Sequence, residues 1–346
     1  MSSEPLDRHA LGQALTRLAN ASASDLIRSP RNAHVSTPAR RIGLTGAPGV
    51  GKSTLAGHLA LYRAQAPDLS CRTPDRSPGQ ARSGIQAATD DPAPHGLRVP
   101  GSSPGQALPA MTGSRRVGIL AIDPSSPKSG GAILGDRIRM DELAGSSELY
   151  IRSIGSRSTA DGLSDNLPEM LDLMDEFGFS EVLLETVGVG QVEYAARVQV
   201  DTLALLLLPE SGDVVQAMKA GIMEMADIYV INKADLPGAQ KMAVDIRRIT
   251  ALARHEEGEW RPSVLLVSSS KPESVAALSD EIDRHQAWLG NGQRREALLQ
   301  QRARYRLRRL IERRAAEVVA DQEPAFFEAP IGEQLDRVLQ QIGRTR

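Results

Sequence analysis

Arg41-Ile42-Gly43-Leu44-Thr45-Gly46-Ala47-Pro48-Gly49-Val50-Gly51-Lys52-Ser53-Thr54 reads as a strand, a glycine-rich loop and the first turn of a helix. Arg41 to Thr45 is a short run of strand length, and Lys52 to Ala64 carries good helix formers and no proline. A polyphosphate needs backbone N–H donors wrapped around it, and glycines let a chain turn that tightly while approaching the oxygens closely. Gly46, Gly49 and Gly51 supply the turns, with Pro48 and Val50 between them. Lys52 then reaches the β- and γ-phosphates, the Ser53 hydroxyl coordinates magnesium, and Thr54 follows in the same helical turn. The strand before and the helix after are the context this motif requires.

Downstream, apolar runs recur at strand length: Val117 to Ile122, Leu149-Tyr150-Ile151, Val182-Leu183-Leu184, Leu203 to Leu208, Ile228 to Ile231 and Val264 to Val267. Runs so continuously apolar fit strands covered on both faces. Helical patterns lie between them, notably Leu167 to Phe177 and Val214 to Met225. This alternation predicts an α/β fold, a doubly wound and mostly parallel sheet with ligands at the carboxyl ends of its strands. Residues 1–35 form a helical N-terminal extension, with Leu11, Leu15 and Leu18 at helical spacing from Asp7 to Ala21, and 36–272 form the nucleotide-binding domain. Residues 273–346 read as a helical C-terminal arm. Its arginine run from Arg294 through Arg314 is expected to be a solvated face rather than a nucleic-acid surface. Between Ala66 and Arg115 lie eight of the chain's 21 prolines without apolar periodicity, which predicts a disordered insertion.

Magnesium on a nucleotide takes one or two carboxylates and keeps several waters. Three acidic residues compete for it. Asp123 ends a strand before Pro124-Ser125-Ser126, Asp136 sits in the loop Gly130 to Asp136, and Glu185 ends the strand Val182 to Leu184. Each has an alternative as a helix cap or surface carboxylate. Glu185-Thr186-Val187-Gly188 also has the spacing that couples an acidic strand end to a glycine N–H on the γ-phosphate. Loss of that phosphate would release Gly188 to Glu193. Lys52, Glu185 and Gly188 are therefore the residues expected nearest the chemistry. At the end of Ile228 to Ile231 stands Asn232-Lys233-Ala234-Asp235. A carboxylate at Asp235 accepts hydrogen bonds from guanine N1–H and its N2 amino group, neither of which adenine offers. An adenine would leave that carboxylate unsatisfied, at a cost of several kcal/mol. Lys233 would lie along the base, Asn232 would tie the loop to the phosphate side, and a backbone N–H near Ser268 and Ser269 would meet guanine O6. The ligands expected are GTP or GDP with Mg²⁺.

The chain has 346 residues and a formal charge of −2, from 43 acidic and 41 basic residues, so no global field draws it to nucleic acid or an anionic membrane. One cysteine, Cys71, excludes an internal disulfide framework and by itself holds no zinc or iron–sulfur centre. No stretch approaches the roughly 20 apolar residues of a membrane span. The acidic start Met1 to Asp7 lacks a secretory apolar core, and a cytoplasmic location is expected.

These strings resemble the GTPase chaperones of methylmalonyl-CoA mutase, the MeaB, MMAA-like and ArgK-type family. The matching stretches are Gly46 to Leu55, Ala121 to Pro127, Gly130 to Met140, Glu185 to Gln191, Gly212-Asp213 with Gln216 and Lys219, Gly221 to Asp227 and Asn232 to Asp235, across most of residues 35 to 270. The resemblance implies a homodimeric GTPase that assists loading and protection of a coenzyme B12-dependent acyl-CoA mutase, its C-terminal helices forming the dimer arm. It implies that Ser53, Asp123, Asp136 and Glu185 surround magnesium and that Gly212 to Lys219 is a further switch touching the mutase. The Pro-rich stretch departs from the family, which joins helix to strand by a short turn there; loop closure entropy grows only logarithmically, so the fold is expected to survive. Val189 replaces the glutamine that many GTPases carry after the switch glycine. Slow intrinsic hydrolysis, completed by the partner and with Lys219 as an added charge, is expected to follow. The alternatives are a nickel-insertion GTPase, which six scattered histidines and one cysteine disfavour, a kinase-like transport regulator, and a nucleotide-held scaffold that does not hydrolyse.

Overall fold

The computed structural model describes residues 6–28, 38–65, 115–124, 149–156, 165–186, 191–209, 221–252, 256–290 and 292–343. The remaining segments, including 66–114 and the positions of Cys71, Asp136, Gly188, Val189 and Lys219, lie outside the described residues. In chain order the elements are α1 (Arg8–Asn20), α2 (Ala23–Arg28), β1 (Arg40–Gly46), α3 (Lys52–Gln65), β2 (Val117–Pro124), β3 (Leu149–Ser156), α4 (Leu167–Glu176), β4 (Glu181–Glu185), α5 (Gln191–Gln199) and β5 (Thr202–Leu207). There follow a 3-10 turn (Ile222–Met225), β6 (Ile228–Ile231), α6 (Ala239–Leu252), β7 (Ser263–Leu266), α7 (Pro272–Leu289), α8 (Gln293–Ala320), a second 3-10 turn (Pro324–Glu328) and α9 (Ile331–Gly343).

The strands form one sheet in the order β3-β2-β4-β1-β5-β6-β7. All of its pairings are parallel, where the sequence predicts a mostly parallel sheet. Side chains alternate across it. Ile42, Leu44, Ile119, Leu183, Leu206 and Val230 face Leu55, Leu59, Leu278 and Ile282 of α3 and α7. On the opposite face Leu120, Ile122, Val182, Leu184 and Leu203 meet α1, α4 and α5 through Leu11, Leu15, Met170, Met174 and Ala196. Coverage on both faces is why these strands read as unbroken apolar runs. The helix expected from Val214 to Met225 appears, within the described part, only as the 3-10 turn Ile222–Met225, which Gly221 introduces at φ 67°.

Ion pairs fasten the amino ends of the strands. Fully buried Arg63 of α3 donates to both carboxylate oxygens of Glu181, each at 2.6 Å, and to Asp283 of α7 at 2.8 Å. Arg115, placed by composition at the end of the insertion, is buried instead, 3.6 Å from Glu181.

The expectation of a solvated arginine face on the C-terminal arm needs correction. Arg302 of α8 donates to Asp201 at 2.8 Å and to the Val198 carbonyl at 3.0 Å. Arg306 pairs with Glu169 at 2.8 Å and Asp172 at 2.6 Å, and Arg313 donates to Asn166 and to the Ala21 carbonyl. These partners line α4, the end of α5 and the end of α1, so one side of α8 is docked by charge, while Arg308 faces outward beside Glu312. No described helix is long and apolar enough to cross a membrane.

Candidate functional site

The loop after β1 turns where the sequence predicts. Gly46, Gly49 and Gly51 hold φ values of 146°, 79° and 93°, a region costly for residues with a Cβ. Space excludes side chains too: a Cβ on Gly46 would lie 2.3 Å from the Leu206 carbonyl oxygen, and one on Gly51 2.7 Å from Asn232 Nδ2. Val50 is buried and anchors the loop, while Pro48 and Gly49 are exposed at its rim. Lys52 Nζ is folded over the loop, donating to the carbonyls of Gly46 at 2.8 Å and Ala47 at 3.0 Å. Thr54 is exposed one residue beyond Ser53.

Ser53 Oγ donates to Glu185 Oε1 at 2.6 Å. The register explains the meeting. Strand β4 lies beside β1 with Leu44 opposite Glu185, so the acidic strand end arrives next to the helix that opens on Lys52. Two hard oxygen donors converging at one point suit magnesium, which prefers such ligands, and Ser53 and Glu185 are the residues that would hold it. In β2, Ala121 is the partner of Glu185, so position 123 comes two residues further along the neighbouring strand; its side chain is not among those described. Asp136 and Gly188 lie outside the described residues. Thr186 fixes the strand end: its N–H donates to the Leu44 carbonyl at 3.1 Å and its hydroxyl to Thr45 Oγ1 at 3.0 Å. Sequence reading treats Thr186 as a spacer in the switch string and passes over Thr45; a threonine at the carboxyl end of each of two adjacent strands was the available signal.

The segment Asn232 to Asp235, expected to read the base, is tied to the glycine loop. Asn232 Nδ2 donates to the Val50 carbonyl at 2.8 Å, and Lys233 Nζ lies 3.4 Å from the Gly49 carbonyl. Lys233 has φ 53°, the one positive value at a non-glycine among the described residues, and this turn leaves Asp235 exposed at the mouth of the site. Ser268 Oγ donates to Asp235 Oδ1 at 2.8 Å. That bond is the main reason the Asp235 carboxyl sits below its ordinary range. The backbone closes the same corner, with the Ala234 N–H on the Val267 carbonyl at 3.0 Å. Ser269 is half-buried in the adjacent turn. Ser274, absent from the sequence reading, accepts from the Ser268 N–H at 3.1 Å and lies 2.9 Å from its carbonyl. Its position after Lys271-Pro272, at a helix start, was the overlooked cue.

One strand end thus carries a glycine loop, a second an acid beside Ser53, and a third an exposed carboxylate held by Ser268. The arrangement can bind a guanine nucleotide with its phosphates over Lys52. Among known proteins, the family described as methylmalonyl Co-A mutase-associated GTPase MeaB matches residues 107–323, a range that begins after the phosphate loop. A probable GTPase of Mycobacterium tuberculosis is 34% identical over 250 residues, 71% of this chain and 60% of that protein; the chain thus spans less than two thirds of this relative. The mitochondrial methylmalonic aciduria type A homolog of Mus musculus is 40% identical over 169 residues, 48% of this chain and 40% of the mouse protein. The solved structure of a LAO/AO transport system kinase matches over 98% of both chains with a TM-score of 0.54 at 21% identity, a likeness of fold. On the family match, which covers more than half of its length, the chain belongs to the methylmalonyl-CoA mutase-associated GTPases of the MeaB family.

Proposed function

We propose that this chain binds GTP with magnesium, hydrolyses it to GDP and phosphate, and serves as a nucleotide-gated chaperone for the assembly, cobalamin loading and protection of an adenosylcobalamin-dependent methylmalonyl-CoA mutase. The observation that carries the nucleotide reading is the Asn232–Val50 hydrogen bond, because it joins the base reader and the phosphate loop into one unit. The mutase reading rests on the family description.

In-line attack on the γ-phosphate needs a positioned water and charge to offset the developing negative oxygens. Lys52 Nζ stands over the loop to meet the β- and γ-phosphates, and the loop N–H groups supply further donors. Ser53 and Glu185, with Asp123 and Asp136 as further candidates, would hold magnesium, which would supply positive charge against the phosphates. Thr186 and Thr45 hold the Glu185 end in place. Val189 has no hydrogen-bonding side chain with which to orient a water, so the isolated chain turns over slowly and the partner completes the site, with Lys219 as the added charge. Single-turnover GTP hydrolysis, with and without purified methylmalonyl-CoA mutase, tests this. Acceleration of at least about 10-fold by the mutase is expected, modest beside the ~10³-fold of a complete supplied charge, and Lys219→Ala should reduce it. Fast turnover alone with no response to the mutase would sink the proposal.

The active species is a homodimer in this reading. On α9, Ile331, Leu335 and Leu339 recur every four residues and are 81%, 56% and 56% exposed. An exposed apolar stripe of this kind marks an interaction surface.

A further inference from the structure

Away from the nucleotide site, an open surface groove of about 550 Å³ lies between α1 and the edge strand β3. Leu11, Leu15 and Leu18 bury one side of α1, and the groove runs along another. Gly12 is part of its lining, flanked by Arg8 and His9 toward one end and Thr16 and Arg17 toward the other, with Arg152 reaching in from β3. Nine residues separate Arg8 from Arg17, a span of roughly 13 Å along a helix.

Several of the chain's other arginines are neutralised by carboxylates. Arg41, Arg63, Arg302 and Arg306 each meet at least one carboxylate. No aspartate or glutamate is among the described residues lining this groove, although three arginines and a histidine are. Arg152 is oriented by neutral groups: its Nη2 donates to Thr16 Oγ1 at 2.8 Å, and that hydroxyl donates to the Gly12 carbonyl at 2.8 Å. Arg8 Nη2 donates to the Leu149 carbonyl at 2.8 Å. A guanidinium fork set in place before a ligand arrives, with a second arginine exposed beside it in an open groove, suits a compact multiply charged anion. A lone carboxylate brings one charge; a phosphate or diphosphate brings two or more.

We propose that this groove is a second anion site, which binds a phosphorylated small molecule with its phosphate between Arg17 and Arg152. The test is calorimetric titration of pyrophosphate into the GDP-bound protein, whose phosphate loop is already filled. One site per chain is expected. Arg152→Gln and Arg17→Gln should each weaken it by about 10-fold, the worth of a charge-assisted hydrogen bond, with GDP affinity unchanged. Arg17 is exposed, so its replacement leaves the fold intact even if Arg152→Gln disturbs β3. Gly12→Asp should abolish binding by setting a carboxylate on the floor. A Cβ at Gly12 meets only Tyr150 Oη, at an ordinary 3.7 Å, so that variant should fold. Absence of a second site, or binding indifferent to Arg17→Gln and Gly12→Asp, would overturn the proposal. Tighter binding of a hexaglutamate peptide than of pyrophosphate would do so as well, by showing a surface for acidic protein segments.

Discussion

At Asp235 a single exposed carboxylate has one oxygen already engaged by the Ser268 hydroxyl, which keeps it ionised well into the acid range. In the proposed nucleotide complex its remaining acceptor capacity would face the donors that distinguish guanine from adenine. Replacing it by Asn exchanges an acceptor for a donor and leaves guanine N1–H and N2 poorly paired. Affinity for GDP should fall about 100-fold, and affinity for xanthosine diphosphate, which presents an oxygen where guanine has the amino group, should rise relative to it. Titration of fluorescent analogues of both nucleotides reads the ratio; an unchanged preference would remove Asp235 from base selection. This residue, Asn232 and the loop glycines are legible in the sequence because each belongs to a short string at a strand end. The hydrogen bond that joins them is less so. Val50 and Asn232 are 182 positions apart, and nothing in either string names the carbonyl that accepts. The threonine pair of Thr45 and Thr186, 141 positions apart, escapes for the same reason.

Elements are legible where burial makes the pattern and less so where charge does. The strands β4, β5 and β6 stand within a residue or two of their apolar runs, since coverage on both faces leaves little choice of residue. The docking of α8 is another matter: a row of arginines looks the same whether water or carboxylates receive it, and its partners lie a hundred or more positions away. Asp201 is the centre of that docking. Burial alone would raise its pKa, but Arg302, Arg295 and the Arg41 N–H outweigh burial and hold it below the ordinary carboxylate range. A carboxyl group whose folded pKa is depressed adds stability that is complete above its unfolded value, about 3.9, and is lost as pH falls through the folded value. Asp201→Asn should therefore lower unfolding free energy by about 3 kcal/mol at neutral pH, because it leaves two arginines without their buried partner. The gap from wild type should stay level from about pH 8 to 5 and narrow below about pH 4. Urea unfolding at a series of pH values checks this. A gap that widens on acidification would mean that Asp201 is not the group that charges the joint.

For the molecule as a whole, α8 carries the chain about 42 Å at 1.5 Å per residue, and what lies at its far end is too small to stand alone. There Val318, Phe326 and Val338 form a cluster with Ile342 at its edge, a core of a size that small units normally supplement by association. The uncovered residues point to how. Ile331, Leu335 and Leu339 follow one side of α9, and Leu307 and Ile311 are exposed on α8; charged or polar residues there would have cost the fold nothing. In the proposed homodimer a second copy of the same arm would cover such a stripe by symmetry, each patch meeting its own equivalent. Leu335→Glu combined with Leu339→Glu places like charges across that contact and spares the cluster around Val338. The wild-type chain should elute at dimer mass in light-scattering chromatography and the double variant at monomer mass. GDP affinity should not change, because the nucleotide loop and Asp235 lie at the strand ends of the sheet, whereas Leu335 and Leu339 lie on α9, whose main contacts are with α8 and the second 3-10 turn. If the variant remains a dimer, the stripe on α9 is not the contact between copies; if the wild type is already a monomer, the stripe serves another partner, and the mutase is the first to test.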